Sequence, residues 1–219
     1  MPRLLELFAG TGSVGKSFRK LGWEVVSLDW HGGHHPTICC DLLTWDYRVF
    51  PDDHFQCVHA SPPCEQYSIA RTTAKTPRNL ELADSLVRRS LEIINYFAPK
   101  AWIIENPATS MMSRREVMAH MVPFRRVVTY CKYGTKYRKA TAIWTNLENW
   151  TPRPACSKAS PCEYRVDGRH PTSAQRGPGK KGGVRTASIA DTCSLDQLHA
   201  IPEALCDELA RVTHSTDGL

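Results

Sequence analysis

Two residues able to do covalent and acid–base chemistry each follow an apolar run that predicts a strand. Cys64 comes shortly after the run at 55–59, on a loop stiffened by two prolines, and Glu105 directly follows the run at 102–104. A thiol in such a position is a candidate nucleophile, and a carboxyl group is a candidate proton donor. Each residue alone is also typical of an ordinary loop. Because ligands of open α/β sheets bind at the carboxyl ends of the strands, we expect Cys64 and Glu105 at the same edge.

A glycine-rich turn precedes the first predicted helix. Phe8-Ala9-Gly10-Thr11-Gly12 follows a strand at 4–8 and leads into a helix at 13–21, so a ligand would face the helix N-terminus. Asp29 ends the second strand, where its carboxylate can accept hydrogen bonds from ribose hydroxyls, and Trp30 offers a face to adenine. These residues predict a nucleoside-binding site.

Two other interpretations of this turn stay open. Gly10 lies five positions before Gly15-Lys16-Ser17, which is the glycine spacing of a phosphate-binding P-loop. The first helical turn begins by Ser13, however, so Lys16 and Ser17 would lie inside the helix rather than at its start. This favours nucleoside binding without triphosphate chemistry. A tight turn without any ligand is the second alternative.

The remaining periodicity predicts an α/β fold. The chain opens as β-α-β, which indicates a parallel sheet, and apolar residues recur at helical spacing from about 80 to 98. The runs at 126–130 and 141–145 predict an antiparallel pair at one edge, and a last helix is expected at about 201–212. Further short strands are expected at 37–40, 55–59 and 102–104.

The composition changes at about residue 149. Between Thr151 and Ala190 there are five glycines and five prolines, few aliphatic side chains and no helical period. We therefore expect residues 1–148 to form the catalytic domain, 149–190 a small loop-rich insert, and 191–219 a C-terminal helix that returns to the catalytic domain.

The net charge of +6 lies entirely in this insert. Eight basic and two acidic residues fall between Thr151 and Ala190, and the charges balance over the rest of the chain. A localised positive charge points to a polyanion such as nucleic acid, although a solvated basic loop has the same composition. The candidate contact residues are Arg165, Arg169, Arg176, Lys180, Lys181 and Arg185.

Three residues of the insert are also typical metal ligands. Cys156, Cys162 and His170 could join Cys131, which ends a predicted strand just upstream, in a tetrahedral zinc site. A structural zinc ion would let a segment poor in aliphatic residues fold without a core of its own. Scattered thiols and a solvated histidine are the alternative.

The cysteine content indicates a reducing compartment. Nine cysteines are an odd number without the regular spacing of a disulfide scaffold. No run approaches the ~20 apolar residues that cross a bilayer, and no signal peptide precedes the first strand. We expect a cytoplasmic protein that acts as a monomer, without membrane contact.

Four short motifs follow one another in a recognisable order. They are Phe-Ala-Gly-x-Gly at 8–12, Pro-Pro-Cys at 62–64, Glu-Asn-Pro at 105–107, and Tyr133-Gly134 followed by Arg138. This order resembles that of the cytosine-5 DNA methyltransferases, particularly the compact forms carried by phages. The resemblance implies a Rossmann-like fold that depends on S-adenosylmethionine, with a target-recognition insert far smaller than is usual in the family.

For catalysis, the resemblance implies a covalent mechanism on a flipped-out cytosine. Cys64 would add to carbon 6 of the base, Glu105 would hydrogen-bond ring nitrogen 3 and the exocyclic amine, and Arg138 would brace the flipped nucleotide. Carbon 5 would then take a methyl group from S-adenosylmethionine. The cofactor-binding residues would be Phe8, Gly10, Thr11, Gly12, Asp29, Trp30, Asp41, Leu42 and Pro62.

Other classes of protein share some of these residues. An amino methyltransferase has an aromatic residue after its paired prolines, where this chain has Cys64. Thymidylate-type enzymes share the Pro-Cys nucleophile but lack the glycine-rich turn and this strand order. An RNA cytosine-5 methyltransferase stays open, because the chemistry is identical and a basic insert binds either polyanion. A catalytically silent nucleic-acid-binding relative is disfavoured by the presence of both Cys64 and Glu105.

Replacement of Lys180, Lys181 and Arg185 by serine is expected to weaken DNA binding and to flatten its salt dependence. The slope of log K against log salt is negative, and it becomes shallower by about 0.9 for every phosphate that is no longer neutralised. Fluorescence anisotropy with a labelled duplex over a salt series measures both quantities. The charge-conserving exchange of lysine for arginine and arginine for lysine at the same positions is the control. An unchanged slope would mean that the insert does not contact DNA.

Overall fold

A seven-stranded sheet organises the chain. The computed structural model describes residues 1–69, 71, 74–172, 174, 180–181, 184–185 and 193–216. The strands of the sheet are, in chain order, β1 (Arg3–Leu7), β2 (Glu24–Asp29), β3 (Ile38–Cys39), β4 (Cys57–Ala60), β5 (Ala101–Pro107), β6 (Arg125–Thr129) and β7 (Ala140–Thr145). They lie side by side in the order β3-β2-β1-β4-β5-β7-β6.

The strand directions confirm the predicted fold. β1 pairs in parallel with β2 and β4, and the same direction continues to β3 and β5. β7 runs antiparallel to both β5 and β6, which forms the predicted antiparallel edge. The chain winds outward from β1 to β3 and then returns to β4, so the order switches between β1 and β4. Ligands of doubly wound sheets bind at the carboxyl ends of the strands at such a switch.

Helices cover both faces of the sheet. They are α1 (Ser13–Lys20), α2 (Leu80–Phe97), α3 (Leu195–His199) and α4 (Glu203–Thr216). Because side chains alternate along a strand, Leu4 of β1 packs with α1 and α4, whereas Leu5 and Leu7 pack with α2. The sheet thus separates two apolar cores.

The end of the chain returns to α1. Lys20 at the end of α1 forms ion pairs with Glu203 and Asp207 of α4. Trp23 Nε1 donates a hydrogen bond of 3.1 Å to Nδ1 of His214. The predicted last helix is therefore present, although it begins at Glu203 rather than 201 and extends further. Helix α3 was not predicted, because its five residues are too short to show a helical period.

The insert contains only short elements in its described part. Val166 and Arg169 pair across a tight turn in which Asp167 and Gly168 have positive φ angles of 47° and 78°. An antiparallel hairpin of β8 (Lys180–Lys181) and β9 (Val184–Arg185) follows. The assignment of 149–190 as a separate recognition unit stays a prediction. Within the described residues, no helix is both long enough and apolar enough to span a membrane.

Helix α1 lies unusually close to the sheet at Gly15. A Cβ atom at this position would lie 2.5 Å from Oε2 of Glu6 and 2.9 Å from Cγ1 of Val25. Burial raises the pKa of Glu6 to about 7, against the opposing effect of the Gly15 amide and the Arg19 charge. Glycine at this position lets α1 pack directly over a buried carboxyl group.

Gly15→Ala is expected to lower the free energy of unfolding by about 1–3 kcal/mol, because the added methyl group must displace Glu6 or the helix. In an unobstructed helix interior the same change would stabilise by about 1 kcal/mol. Urea denaturation followed by circular dichroism measures the difference. Lys16→Ala, on the exposed side of the same helix, is the control and should change stability by less than about 0.5 kcal/mol. A stabilised Gly15→Ala variant would contradict the close packing.

Candidate active site

A cavity of about 230 Å³ opens where β1, β4 and β5 end. Cys64 and Glu105, which the sequence predicted to meet, both line it. Pro62 and Pro63 form part of the same wall, next to the thiol. The structure therefore brings the candidate nucleophile and the candidate carboxylate into one cavity.

The pairing of β4 with β5 explains why the two residues meet. Ala60 lies opposite Ile104 in the parallel ladder, so the chain leaves both strands at the same edge. Asn106 Nδ2 then donates a buried hydrogen bond of 2.9 Å to the carbonyl oxygen of Pro62. This bond ties the segment that carries Glu105 to the loop that carries Cys64.

The loop beyond Cys64 is anchored to α2. The amide of Tyr67 donates a hydrogen bond of 3.1 Å to the carbonyl of Cys64, and the Tyr67 hydroxyl donates one of 2.7 Å to Oδ1 of Asp84. Arg115 in turn donates to both carboxylate oxygens of Asp84, with a shortest distance of 2.6 Å. A bidentate pair of this kind fixes orientation as well as distance. The cysteine loop therefore has a rigid support on both sides.

Glu105 is held by a buried tyrosine. Its side chain is 7% exposed, and Oε1 accepts a hydrogen bond of 2.9 Å from the Tyr130 hydroxyl. Burial, with the Glu105 charge beside it, raises the pKa of Tyr130 well above its usual value, so the hydroxyl keeps its proton and donates. One carboxylate oxygen is thus engaged by Tyr130, which leaves the other for a ligand in the cavity.

The environment of Cys64 favours the neutral thiol. Burial raises the pKa of Cys64 to about 11, and the negative charges of Glu65 and Glu105 act in the same direction. The positive charge of Lys139 opposes them. Lys139 Nζ donates a hydrogen bond of 2.9 Å to the carbonyl of Leu198 and lies 4.9 Å from the centre of the Tyr130 ring. Lys139 is therefore the positive charge that the cavity offers to a thiolate.

Arg138 does not line the described part of this cavity, and its predicted role of bracing a flipped nucleotide stays a prediction. Among the described residues Lys139 lines the cavity, whereas Arg138 is exposed and close to His170. Neighbouring residues of an extended segment point to opposite sides. Ile143 of β7 pairs with Glu105, and counting back by twos from Ile143 reaches Lys139. Strand alternation could have selected Lys139 from the sequence, had the register of β7 been known.

The predicted cofactor residues fall into two adjoining cavities. Asp41 and Leu42 line a second, apolar cavity of about 380 Å³, and Phe8 and Trp30 line both. Gly12 does not line the described part of either cavity; it precedes α1 with a positive φ of 66°. The first cavity is lined by Phe8, Gly10, Thr11, Asp29, Trp30 and Pro62.

Asp29 is fixed at the junction of the turn and the second strand. Its Oδ2 accepts a hydrogen bond of 2.8 Å from the amide of Gly10, and its Oδ1 accepts one of 2.9 Å from the amide of His31. Each carboxylate oxygen keeps a second lone pair for a ribose hydroxyl. Trp30 is 76% exposed, so its ring is available for stacking. A fixed carboxylate and a free aromatic face fit a nucleoside that extends across both cavities.

Two buried polar residues in the cavity wall were not predicted. Glu6 of β1 lies opposite His59 of β4, and both line the cavity. Neither ring nitrogen of His59 has a hydrogen-bond partner among the described residues, and burial lowers the pKa of His59 to about 3. His59 is therefore neutral and available to a ligand or a water molecule. A polar residue inside an apolar strand run is the signal that could have found it.

The other predicted residues lie outside this cavity. Arg165 is half-buried, Arg169 is exposed, and Lys180, Lys181 and Arg185 belong to the β8–β9 hairpin. Arg176 lies outside the described residues. The four predicted metal ligands do converge: the ligand atoms of Cys131, Cys156, Cys162 and His170 all lie within 4.8 Å of one another.

Comparison with known proteins decides the family. No family model matches the chain. A probable DNA (cytosine-5)-methyltransferase of Frog virus 3 (isolate Goorha) is 34% identical, over 84% of this chain and 91% of the relative. The chain belongs to the DNA (cytosine-5)-methyltransferase family. The resemblance predicted from the order of motifs is thereby confirmed, whereas the likeness to compact phage forms stays a prediction.

More distant relatives of this cytosine-5 methyltransferase are longer. The type II methyltransferase M.AgeI of Thalassovita gelatinovora is 25% identical, over 65% of this chain and 39% of the relative. Two solved structures share the fold: Entamoeba histolytica methyltransferase EhMeth, with a TM-score of 0.53 and 13% identity, and S. pombe Dnmt2 methyltransferase, with 0.50 and 13%. The matched region spans 57% and 58% of the length of these two structures, and 72% and 73% of this chain.

Alkylation of Cys64 should report its raised pKa. The thiolate is the reactive form, so iodoacetamide should modify Cys64 slowly at pH 7 and progressively faster towards pH 11. Lys139→Met removes the charge that lowers this pKa and should shift the profile upward by up to about one unit. Mass spectrometry of the Cys64 peptide at each pH gives the rate. Lys139→Arg keeps the charge and is the control. Identical pH profiles for the Lys139→Met and Lys139→Arg variants would exclude an effect of the Lys139 charge on the pKa of Cys64.

Proposed function

We propose that this chain transfers a methyl group from S-adenosylmethionine to carbon 5 of a cytosine in DNA, through a covalent adduct with Cys64. The observation that carries the proposal is the meeting of Cys64 and Glu105 in one cavity with the glycine-rich turn and Asp29. Membership of the DNA (cytosine-5)-methyltransferase family supports the same reaction. We propose DNA as the substrate because the Frog virus 3 relative is named as a DNA enzyme.

The nucleophile must lose a proton as it reacts. With a pKa of about 11, the Cys64 sulfur carries its proton at neutral pH. As the thiol proton passes to a water molecule, Sγ bonds to carbon 6 of the cytosine, and the electron pair of the 5,6 double bond makes carbon 5 nucleophilic. Lys139 is the positive charge near the thiolate during this step. Once carbon 5 has accepted the methyl group, its proton passes to a water molecule, the electron pair of that C–H bond re-forms the double bond, and the bond from carbon 6 to Sγ breaks, so that Cys64 leaves as the thiolate.

Glu105 has the complementary role at the other side of the ring. Addition at carbon 6 increases the basicity of ring nitrogen 3, so a carboxyl group fixed beside that nitrogen stabilises the adduct. The hydrogen bond from Tyr130 fixes the orientation of Glu105 before the base arrives. A carboxyl group that is already oriented needs no costly reorganisation during the reaction.

The residues of the two cavities fit the cofactor. S-adenosylmethionine supplies the methyl group when it is bound. Asp29 would hold the ribose, Trp30 would stack on the adenine, and Asp41 and Leu42 would contact its edge. Ser61 Oγ and His59 lack hydrogen-bond partners among the described residues and line the first cavity, where the polar methionine end would lie. These orphaned polar atoms support a polar ligand at that place.

The remaining parts of the proposal concern the macromolecular substrate and the cell. Cys64 is largely buried in the wall of the cavity, so the target base must leave the DNA stack to reach it. The basic insert would contact the phosphates on either side. None of the nine cysteines, all of which lie in the described part of the chain, forms a disulfide bond, which supports an enzyme of a reducing cytoplasm.

DNA containing 5-fluorocytosine should trap the enzyme through Cys64. Fluorine at carbon 5 cannot leave as a proton does, so the adduct formed after methyl transfer persists. A denaturing gel should show a complex that depends on S-adenosylmethionine. Cys64→Ala should abolish both the complex and methylation, by about 10³-fold or more, while cofactor binding measured by calorimetry is retained.

Cys39→Ala is the matched control, because Cys39 is exposed and lines neither cavity within the described residues. The Cys39→Ala variant should form the covalent complex with DNA to the same extent as the unaltered chain. Turnover by Cys64→Ala would refute the covalent mechanism. The same experiment is repeated with single-stranded RNA of the same sequence that contains 5-fluorocytosine. A covalent complex with RNA but not with DNA would show that the substrate is RNA.

A further inference from the structure

A cluster of three cysteines and one histidine lies outside the cavity. It consists of Cys131, Cys156, Cys162 and His170, which we call the CCCH cluster. Nε2 of His170 lies 3.1 Å from Sγ of Cys162 and 3.9 Å from Sγ of Cys156. The proposed methyl transfer uses none of these side chains. Their convergence from four separate positions needs its own explanation.

The distances match a tetrahedral metal site. With Zn–S bonds of about 2.3 Å and Zn–N bonds of about 2.1 Å, neighbouring ligand atoms lie about 3.5–3.8 Å apart. All four ligand atoms of the CCCH cluster lie within 4.8 Å of one another, so small side-chain movements close the tetrahedron. The cysteines are free rather than paired in disulfides. Thiolates and an imidazole favour zinc over calcium or magnesium, which take oxygen ligands.

Charge around the CCCH cluster suits bound thiolates. A zinc ion with three thiolates and a neutral imidazole has a net charge of −1. Arg138 and Arg165 lie close enough to His170 for their charges to act on its ring. Lys132 Nζ donates a hydrogen bond of 2.8 Å to the carbonyl of Pro161, the residue before Cys162. These cations offset the negative charge of the complex.

The positions of the ligands along the chain suggest what the metal does. Cys131 lies in a short helical turn, Tyr130–Tyr133, that directly follows β6 of the sheet. The other three ligands lie in the insert, whose described part contains a tight turn, a single bridge from Thr172 to Tyr137, and a hairpin with strands of two residues each. The amide of Cys156 donates a buried hydrogen bond of 2.9 Å to Oγ1 of Thr129. The cluster therefore joins the insert to the edge of the sheet.

We propose that the CCCH cluster binds one structural zinc ion, which fastens the basic insert to the catalytic sheet. All four coordination positions are filled by protein, so no open position remains for a substrate or an activated water molecule. The metal takes the place of the apolar core that the insert lacks. Because Cys131 follows Tyr130, the bound ion also braces the turn that positions the Tyr130 hydroxyl on Glu105.

Metal analysis of the full chain tests the proposal without reference to methylation. Protein purified without a metal-binding tag should contain one zinc per chain by plasma mass spectrometry. Cys162→Ser and His170→Ala should lose it, whereas the controls Cys39→Ser and His120→Ala, both at exposed positions, should retain it. Cobalt added to chelator-treated protein should give the visible absorption of a tetrahedral thiolate complex.

Limited proteolysis provides a second measurement, which remains informative if the variants fold poorly. Removal of zinc from the unaltered chain by a chelator should expose residues 157–170 to cleavage and leave the rest of the chain protected. Zinc added back should restore the resistance. Protein that holds no stoichiometric zinc and takes up no cobalt would overturn the proposal. Equal metal content in the cluster variants and the controls would overturn it too.

Discussion

The parallel hydrogen bonding of β4 to β5 is the constraint on which the rest of the site depends. It places the chain segments after Ala60 and Ile104 side by side at one edge of the sheet. The loop of Cys64 and the carboxylate of Glu105 can then share a cavity, and the bond from Asn106 to Pro62 keeps them together. Without this pairing, two residues forty-one positions apart would have no reason to meet.

Burial at this edge sets the chemical state of the side chains. It keeps the Cys64 thiol and the Tyr130 hydroxyl protonated, because a charge removed from water is penalised. Because Cys64 is buried, solvent screens the Lys139 charge less than it would at the surface, and this charge lowers the pKa of the thiol. Cys64 therefore rests as a neutral thiol, and the charge of Lys139 counteracts part of the cost of forming a thiolate.

The insert is stabilised in a different way from the catalytic sheet. It has the whole positive excess of the protein but too few aliphatic residues for a core of its own. Its described part depends instead on contacts with the sheet edge, such as the bond from Cys156 to Thr129, and on the convergence of cysteines with His170. A compact segment with little apolar surface can keep its charges in fixed positions only if something other than a core holds it.

The parallel sheet with its antiparallel edge, the family, and the meeting of Cys64 with Glu105 could be predicted from the amino-acid sequence, because they depend on local periodicity and on motifs a few residues long. Helix α3 could not, because five residues show no helical period. The choice between Arg138 and Lys139 as the residue that faces the cavity could not. It depends on the register of β7 against β5, which is set when the sheet packs. The burial of His59 and the shifted pKa of Cys64 likewise arise from residues distant in sequence that packing brings together.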